Sequence, residues 1–426
     1  MRSLRLTITI SLACLLATSA FGSGFLIPEQ GAKASSMAGA FAATADDPSA
    51  IFYNPAGLAQ QRHMSVYAGT TLINFSNEFT GDFRSPVASG EEAKYNRHTF
   101  NIPNMYATIP IGENITVGVG VFAAFGLRTD WADPFAGRYI SKDADLKTTS
   151  VNPAIAWQTS NGRVAIGAGV EYRRARVILN ANRLALNPFT GRIQDVANTR
   201  LASDYGDDIG FNAGILFKPT DRFRIGASYR SDMDIELEGD AQITPIPTGN
   251  AQFDAAVRAQ LPPNQPINTT LPFPEIASLG VAFSPNENWD LEFDVIHTGW
   301  DRFKALTVNF ETTPAASFTR PQNWEDSKSY RFGVNHNATE NWDVRFGAVY
   351  DENPQPVESV SPLLPDSDRI GGSFGVGFHA GPFIVDGGVL VLHFKDRDTQ
   401  LRNPEGFDGL YETDALLWSV NLGYRF

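Results

Sequence analysis

The 426-residue sequence predicts an all-β fold, a 14-stranded antiparallel transmembrane β-barrel with an N-terminal hatch plugging it. Three observations carry this. An export leader precedes a chain without cysteine, period-two alternation recurs along most of the length, and tight turns alternate strictly with long connections. Composition agrees. With 42% hydrophobic, 12% aromatic and 19% charged residues the chain is not disordered. A mean hydropathy of -0.19 excludes a polytopic helical membrane protein. Glycine (37) and phenylalanine (30) are both abundant, as a barrel with close-packed walls requires. A formal charge of -13 argues against a nucleic-acid partner.

Residues 1–22 read as a signal peptide. Arg2 and Arg5 form a positive n-region, Leu6 to Ala17 is apolar, and Ala20-Phe21-Gly22 is a small-x-small cleavage site, so the mature chain begins at Ser23. The apolar run is shorter than the ~20 residues a helical span needs. Cys14, the single cysteine, lies inside the leader, and the apolar run continues past it through Leu15, Leu16 and Ala17, against a lipobox. Disulfides and thiolate chemistry are therefore excluded from the mature chain. An exported, acidic, cysteine-free protein fits the outer membrane or periplasm of a Gram-negative bacterium.

The barrel is expected over residues 63–426. Ile115, Val117, Val119 and Val121 alternate with Thr116, Gly118 and Gly120, and Trp342, Val344, Phe346 and Ala348 alternate with Asp343, Arg345 and Gly347. A helix would mix these two faces, whereas a strand separates them. Such segments fall near 63–76, 98–110, 114–126, 147–159, 162–177, 206–218, 221–238, 272–284, 287–301, 327–338, 341–352, 371–381, 383–396 and 412–426. Tight turns at 111–113, 160–161, 219–220, 285–286, 339–340 and 382 alternate with long loops such as 178–205 and 239–271. That asymmetry is the signature of an outer-membrane barrel, and a soluble sandwich has no reason to show it. The last strand runs Trp418, Val420, Leu422, Tyr424, Phe426 and stops there, which resembles the sorting signal of such barrels. Trp289 and Trp342 follow tight turns and belong to the same aromatic girdle.

Residues 23–62 do not alternate. A small-residue run from Ala32 to Ala45 suggests a short helix, ended by Pro48 and Pro55. Side chains alone do not fill a barrel of about fourteen strands, so this compact segment is assigned as the hatch domain.

Several motifs in order resemble the FadL-type outer-membrane long-chain fatty acid transporter family. They are Gly24-Phe25, Ala45 to Ala50, Asn54-Pro55-Ala56-Gly57-Leu58, Phe125-Gly126-Leu127 with Trp131, Gly137-Arg138-Tyr139, Leu279-Gly280-Val281-Ala282 with Trp289, Trp324 with Tyr330-Arg331, and Leu364 to Arg369. The resemblance spans the mature chain. It implies a hatch-plugged barrel that passes hydrophobic ligands, most readily long-chain fatty acids, from extracellular loops through a lateral gap into the membrane. It also implies outer-membrane lipid as recipient and the barrel-assembly machinery as partner during insertion. The family includes monoaromatic hydrocarbon channels, and an adhesin-like structural barrel is the reading from another class.

The residues carry no catalytic signature, no cofactor motif and no metal-ligand spacing: the six histidines are scattered. Asp290, Glu292 and Asp294 read as a solvated lumen wall. Arg173, Arg230 and Arg331 point inward by parity, since outward placement at mid-membrane costs about 2–4 kcal/mol each, and are candidates to hold a carboxylate. Phe122, Leu390, Leu392 and Phe394 are apolar on the inward face. With Phe25, Leu26, Phe125 and Gly126 they form the candidate ligand path. Leu186 and Phe189, with Phe253, Val257 and Leu261 on one face of a short helix, are candidates for external capture. In the family a kinked third strand faces the Asn-Pro-Ala motif, so Asn54, Pro55 and Ala56 are expected beside Gly126, where glycine permits a bend.

Overall fold

A computed structural model describes residues 24–426; the leader, its cleavage site and Ser23 lie outside the described residues. Fourteen strands form the wall: β1 (Ser65–Gly81), β2 (Thr99–Ile111), β3 (Ile115–Phe122), β4 (Asp143–Gln158), β5 (Val164–Asn187), β6 (Gly206–Thr220), β7 (Phe223–Arg230), β8 (Ile276–Asn286), β9 (Trp289–Thr298), β10 (Ser327–Asn337), β11 (Trp342–Asp351), β12 (Arg369–Ala380), β13 (Phe383–Phe394) and β14 (Gly409–Arg425). Each pairs antiparallel with its sequence neighbours. The cylinder closes where β1 pairs with β14 from Ser65↔Arg425 to Gly81↔Gly409. Closure leaves the ladder without a free edge, the condition for crossing lipid with strands.

The alternation sorts as the sequence requires. Val119, Ile155, Ile166, Phe293, Phe346, Val391 and Val420 are exposed around the outside, and Trp157, Trp289, Trp342, Phe383 and Phe426 ring the short-turn end. Glu171, Arg173, Arg345 and Asp386 are buried on the inner face. Arg173 and Glu171 pair at 2.7 Å and Arg345 and Asp386 at 2.5 Å, so these charges lie inside and are paired.

Residues 24–62 fill the lumen. They hold two short helices, α1 (Ala32–Ser36) and α2 (Ala50–Tyr53), and a 3-10 turn at Pro55–Gln60. Asn54 caps that turn, its side-chain oxygen accepting from Ala56 N at 3.1 Å, and Pro55 occupies the first position, where no backbone donor is missed. The segment's backbone and short side chains lie directly on inward glycines. A Cβ on Gly226 would stand 2.0 Å from Ala42 O, one on Gly214 2.1 Å from Asn54 Oδ1, and one on Gly375 1.9 Å from Ser36 Oγ.

Two expected loops differ. The segments 178–205 and 239–271 are largely strand, since β5 runs on past the wall into a hairpin with Arg192–Ser203. That hairpin pairs with Met233–Pro245, which pairs with Gln265–Phe273. Leu179, Leu201, Leu237, Ile267 and Leu271 cover one another across this small sheet, so alternation continued where length alone suggested loop. The expected helix is present as α3 (Ala251–Arg258), capped by Asn250, whose side chain accepts from Gln252 N and Phe253 N.

Candidate functional site

The wall has one interruption next to the hatch. β2 and β3 pair only from Ile111↔Ile115 to Met105↔Val121. Above that, Thr99 to Asn104 find ladder partners on β1 alone. β3 stops at Phe122 and the chain resumes at Gly126–Asp130 against β4. The two sides rejoin higher up, where Tyr95 bridges Trp131. This leaves a window flanked by 97–104 and 122–129.

The start of the described chain pairs with the 123–126 edge of that window. Leu26 bridges Phe125, Ile27 N donates to Ala124 O at 2.8 Å, and Gly126 N donates to Phe25 O at 2.9 Å. The Gln30 side chain donates to Ala123 O at 2.7 Å. An unpaired backbone inside a membrane wall costs several kcal/mol per group, so these three residues stand in for the missing strand. The Phe25 ring is held in an aromatic box of Phe125, Phe273, Trp300, Phe303 and Trp324, with centroids 4.5 to 6.0 Å away. Gly24, in the left-handed region at φ +64°, lies flat on Trp300 and Trp324, where a Cβ would stand 2.6 Å from either ring. Its N–H donates to Asp366 Oδ2 at 2.8 Å. Burial pushes the Asp366 carboxyl up to about 7.

An apolar cleft leads to this box from the long-loop end. Its walls are Leu127, Leu146, Val177, Leu179, Leu201, Leu237, Ile267, Leu271, Leu306, Val308, Leu363 and Leu364, and Phe25 and Phe303 form its floor. The cleft is narrow, about 80 Å³, against about 610 Å³ for the polar vestibule at the short-turn end. The former suits a thin apolar ligand, and the latter is lined by charged and polar side chains such as Lys33, Asp46, Asp343 and Arg425. Behind Phe25, Leu26 borders an inner chamber with Phe52, Ile276, Ile296, Arg230 and Arg331. Each of these arginines is already engaged. Arg173 and Arg230 share Glu171. Arg331 and Arg369 share Asp351, at 3.2 and 2.6 Å. Arg230 and Arg331 also hold hatch carbonyls, Phe52 O at 3.0 Å and Ala38 O at 2.8 Å. Each triad has two guanidiniums for one carboxylate. Glu29 of the hatch, its carboxyl pushed up by burial, faces the Arg331 and Arg369 pair.

The structure places the remaining candidates as follows. Phe122 packs on Phe52 of the hatch, with centroids 5.3 Å apart. Leu390, Leu392 and Phe394 are buried inside the barrel but border neither the cleft nor the inner chamber. Leu186 and Phe189 are exposed at the hairpin tip, 62% and 53%, away from the cleft. Phe253 is buried under α3, Val257 is outside the cleft lining, and Leu261 packs on the small outer sheet. Asn54, Pro55 and Ala56 make their close contacts with β5 and β6. They rest on Gly167 and Gly214 near the short-turn end, level with Thr116 through the pairs Gly167↔Ala156 and Ala156↔Thr116. The Asn54 amide donates to Ala42 O at 2.7 Å and Ile215 O at 3.1 Å, which ties the motif to the inner wall. Sequence reasoning passed over Phe273, Trp300 and Phe303, and quoted Trp324 and Asp366 without giving them a part. The clustering of Trp300, Phe303 and Trp324 in one connection was the available signal.

Comparison with known proteins agrees with this architecture. Residues 13–426 match the model of a family described as outer membrane protein transport protein (OMPP1/FadL/TodX). The long-chain fatty acid transport proteins of Salmonella typhi and Escherichia coli K12 are 25% and 26% identical, each alignment covering 97% of this chain and 96% of the relative. A FadL homologue of Pseudomonas aeruginosa superposes with a TM-score of 0.82 at 21% identity, over 95% of this chain and 100% of that one. The Pseudomonas putida toluene transporter TodX gives 0.74 at 17%, over 93% and 98%. A closed barrel of fourteen strands, a filled lumen and a match along nearly the whole chain lead to one conclusion: the protein belongs to the OMPP1/FadL/TodX family of outer membrane proteins, transporters of hydrophobic compounds rather than enzymes.

Proposed function

We propose that this protein takes up long-chain fatty acids passively across the outer membrane and releases them sideways into the lipid. Residues 23–62 act as a hatch domain inside the barrel of residues 63–426. The observation that carries the reading is the leucine-lined cleft ending on Phe25, in the segment that pairs with 124–126 at the edge of the window between β2 and β3. A ligand descending the cleft meets Phe25 and Phe303 at its floor. Displacing Phe25 to Ile27 vacates the window, while the hatch behind keeps the direct route through the lumen filled. Each methylene buried in the cleft contributes about 0.8 kcal/mol, so an alkyl chain provides its own driving force. The Arg173, Arg230 and Glu171 triad, with cations in excess, offers the carboxylate a stop beyond the box. Outer-membrane lipid receives the ligand, and the barrel-assembly machinery recognises the strand ending in Phe426. The relatives carry long-chain fatty acid names, which supports this choice of ligand. The aromatic box around Phe25 favours a second reading, uptake of monoaromatic hydrocarbons, whose rings would stack where Phe25 sits.

Mild extraction followed by mass spectrometry of co-purified lipids tests the ligand. Leu237→Asp with Ile267→Asp, in the cleft but outside the wall, should abolish co-purified fatty acid and reduce oleate uptake at least tenfold. Toluene retained in place of fatty acid would favour the second reading, and unchanged uptake would exclude the cleft.

A further inference from the structure

Beside the apolar cleft lies a second groove, of about 140 Å³, that shares Leu179, Leu201 and Leu363 with it. It sits outside the wall, between the β5 extension, the segment 139–141 and the short strand Phe318–Pro321. Arg183 stands in its lining. The side chain is half-buried, and its Nε donates to Thr199 Oγ1 at 3.0 Å. Among the described residues no carboxylate lies within ion-pair distance of it. The contrast with its neighbours is sharp. Arg320, across the groove, is held by Glu405 at 3.4 Å and Ile140 O at 3.1 Å, Arg138 is held by Asp195 at 2.9 Å, and the lumen arginines share Glu171 and Asp351. Burial pulls the Arg183 guanidinium below its usual range, with no acid to offset it. Partial desolvation of a cation is unfavourable unless an anion completes it. A guanidinium with its terminal N–H groups uncommitted presents the fork that a carboxylate matches with two parallel hydrogen bonds.

We propose that Arg183 is an anionic head-group site at the outer mouth: a long-chain carboxylate docks its head on this guanidinium and lays its tail over Leu179, Leu201 and Leu363 into the cleft. The site sorts amphipathic acids from neutral hydrocarbons before either reaches Phe25. It rests on the alkyl-ligand reading above and adds a charge requirement to it.

The test compares radiolabelled palmitate with methyl palmitate, equal in tail and different in charge, at limiting concentration in cells whose barrel assembly is verified by heat-modifiable migration. Arg183→Gln should lower palmitate uptake at least fivefold and leave the ester unchanged, and Arg183→Lys should recover much of the loss. Equal loss for both probes, or none for palmitate, would overturn the proposal, because the arginine would then be packing or bystander. Should the Gln variant fail to assemble, Arg183→Lys and Arg183→Met decide by the same ratio of acid to ester. A wild-type protein that moves neither probe overturns the alkyl-ligand reading and this site together. A wild type that moves both, with Arg183→Gln treating them alike, overturns the site alone.

Discussion

At the scale of single residues, the inward glycines do more than permit alternation. Gly226, Gly214, Gly375 and Gly167 sit where the hatch backbone touches the wall, and a methyl group on any of them would stand 1.9 to 2.4 Å from hatch atoms. Contacts that close force the hatch to move, because both sides are backbone or short side chains. Gly226→Val and Gly375→Val should therefore leave the outer, lipid-facing alternation untouched and the barrel assembled while dislodging the hatch. The check is entry of a large hydrophilic antibiotic, expected to rise severalfold over wild type. Gly372→Ala, whose nearest neighbour beyond the adjacent residues is 4.0 Å away, should not change it. The inward position of these glycines was legible from parity. Their contact with the hatch was not, because nothing in a strand says which distant backbone will rest against it. Gly24 is similar: its motif was visible, but the Trp300 and Trp324 floor beneath it came from a connection nearly three hundred residues on.

At the scale of elements, β9 docks the hatch through two carboxylates. Asp294 Oδ2 accepts from Phe41 N at 2.7 Å and Ala42 N at 2.9 Å. Glu292 accepts from Ala43 N at 2.6 Å and Thr44 N at 2.9 Å. Four successive backbone donors thus end on one strand. The sequence suggested a solvated wall here, since inward carboxylates usually meet water; instead both are buried, because the hatch covers them with N–H groups. Hydrogen bonds to a charged group contribute about 1.5–3 kcal/mol each. Glu292→Ala with Asp294→Ala should speed amide exchange at residues 41–44 by roughly 10- to 100-fold, tenfold for each 1.4 kcal/mol, and Glu292→Gln, which keeps an acceptor, should do less. Exchange at wild-type rates in the double variant would mean that the glycine contacts hold the hatch without β9. The outer hairpins teach the opposite lesson. Their alternation at Leu179, Leu201 and Leu237 was readable, and only the assumption that long connections lack structure hid the small sheet that walls the cleft.

For the molecule as a whole, what decides the route is which part of the filled lumen can leave. The hatch from Ala32 onward is anchored all round, by α1 against Ser373 and Asn421, by β9, and by Asn54 on β6. Residues 24–27 are held differently, by two backbone hydrogen bonds to Ala124 and Gly126, one to Asp366, one from the Gln30 side chain, and ring contacts that a hydrophobic ligand can replace. They are the element with a substitute available. The Asn54-Pro55-Ala56 motif makes its close contacts on β5 and β6, whereas Leu26 pairs directly with Phe125, so the test belongs to Leu26 and Phe125. These two form a non-hydrogen-bonded antiparallel pair, flanked by the bonds Ile27 N to Ala124 O and Gly126 N to Phe25 O. In such pairs Cα atoms are about 4.5 Å apart, within the range a disulfide spans. Cys14 is the chain's single cysteine, so in a Cys14→Ser background two introduced thiols can pair within the molecule only with each other. Leu26→Cys with Phe125→Cys should cross-link in the assembled barrel and close the window covalently. Uptake should then fall at least tenfold under oxidising conditions and return on reduction, with ligand still retained in the cleft. Uptake that continues at the single-variant rate while the cross-link is intact would place the exit elsewhere, through the hatch and into the polar vestibule beneath it.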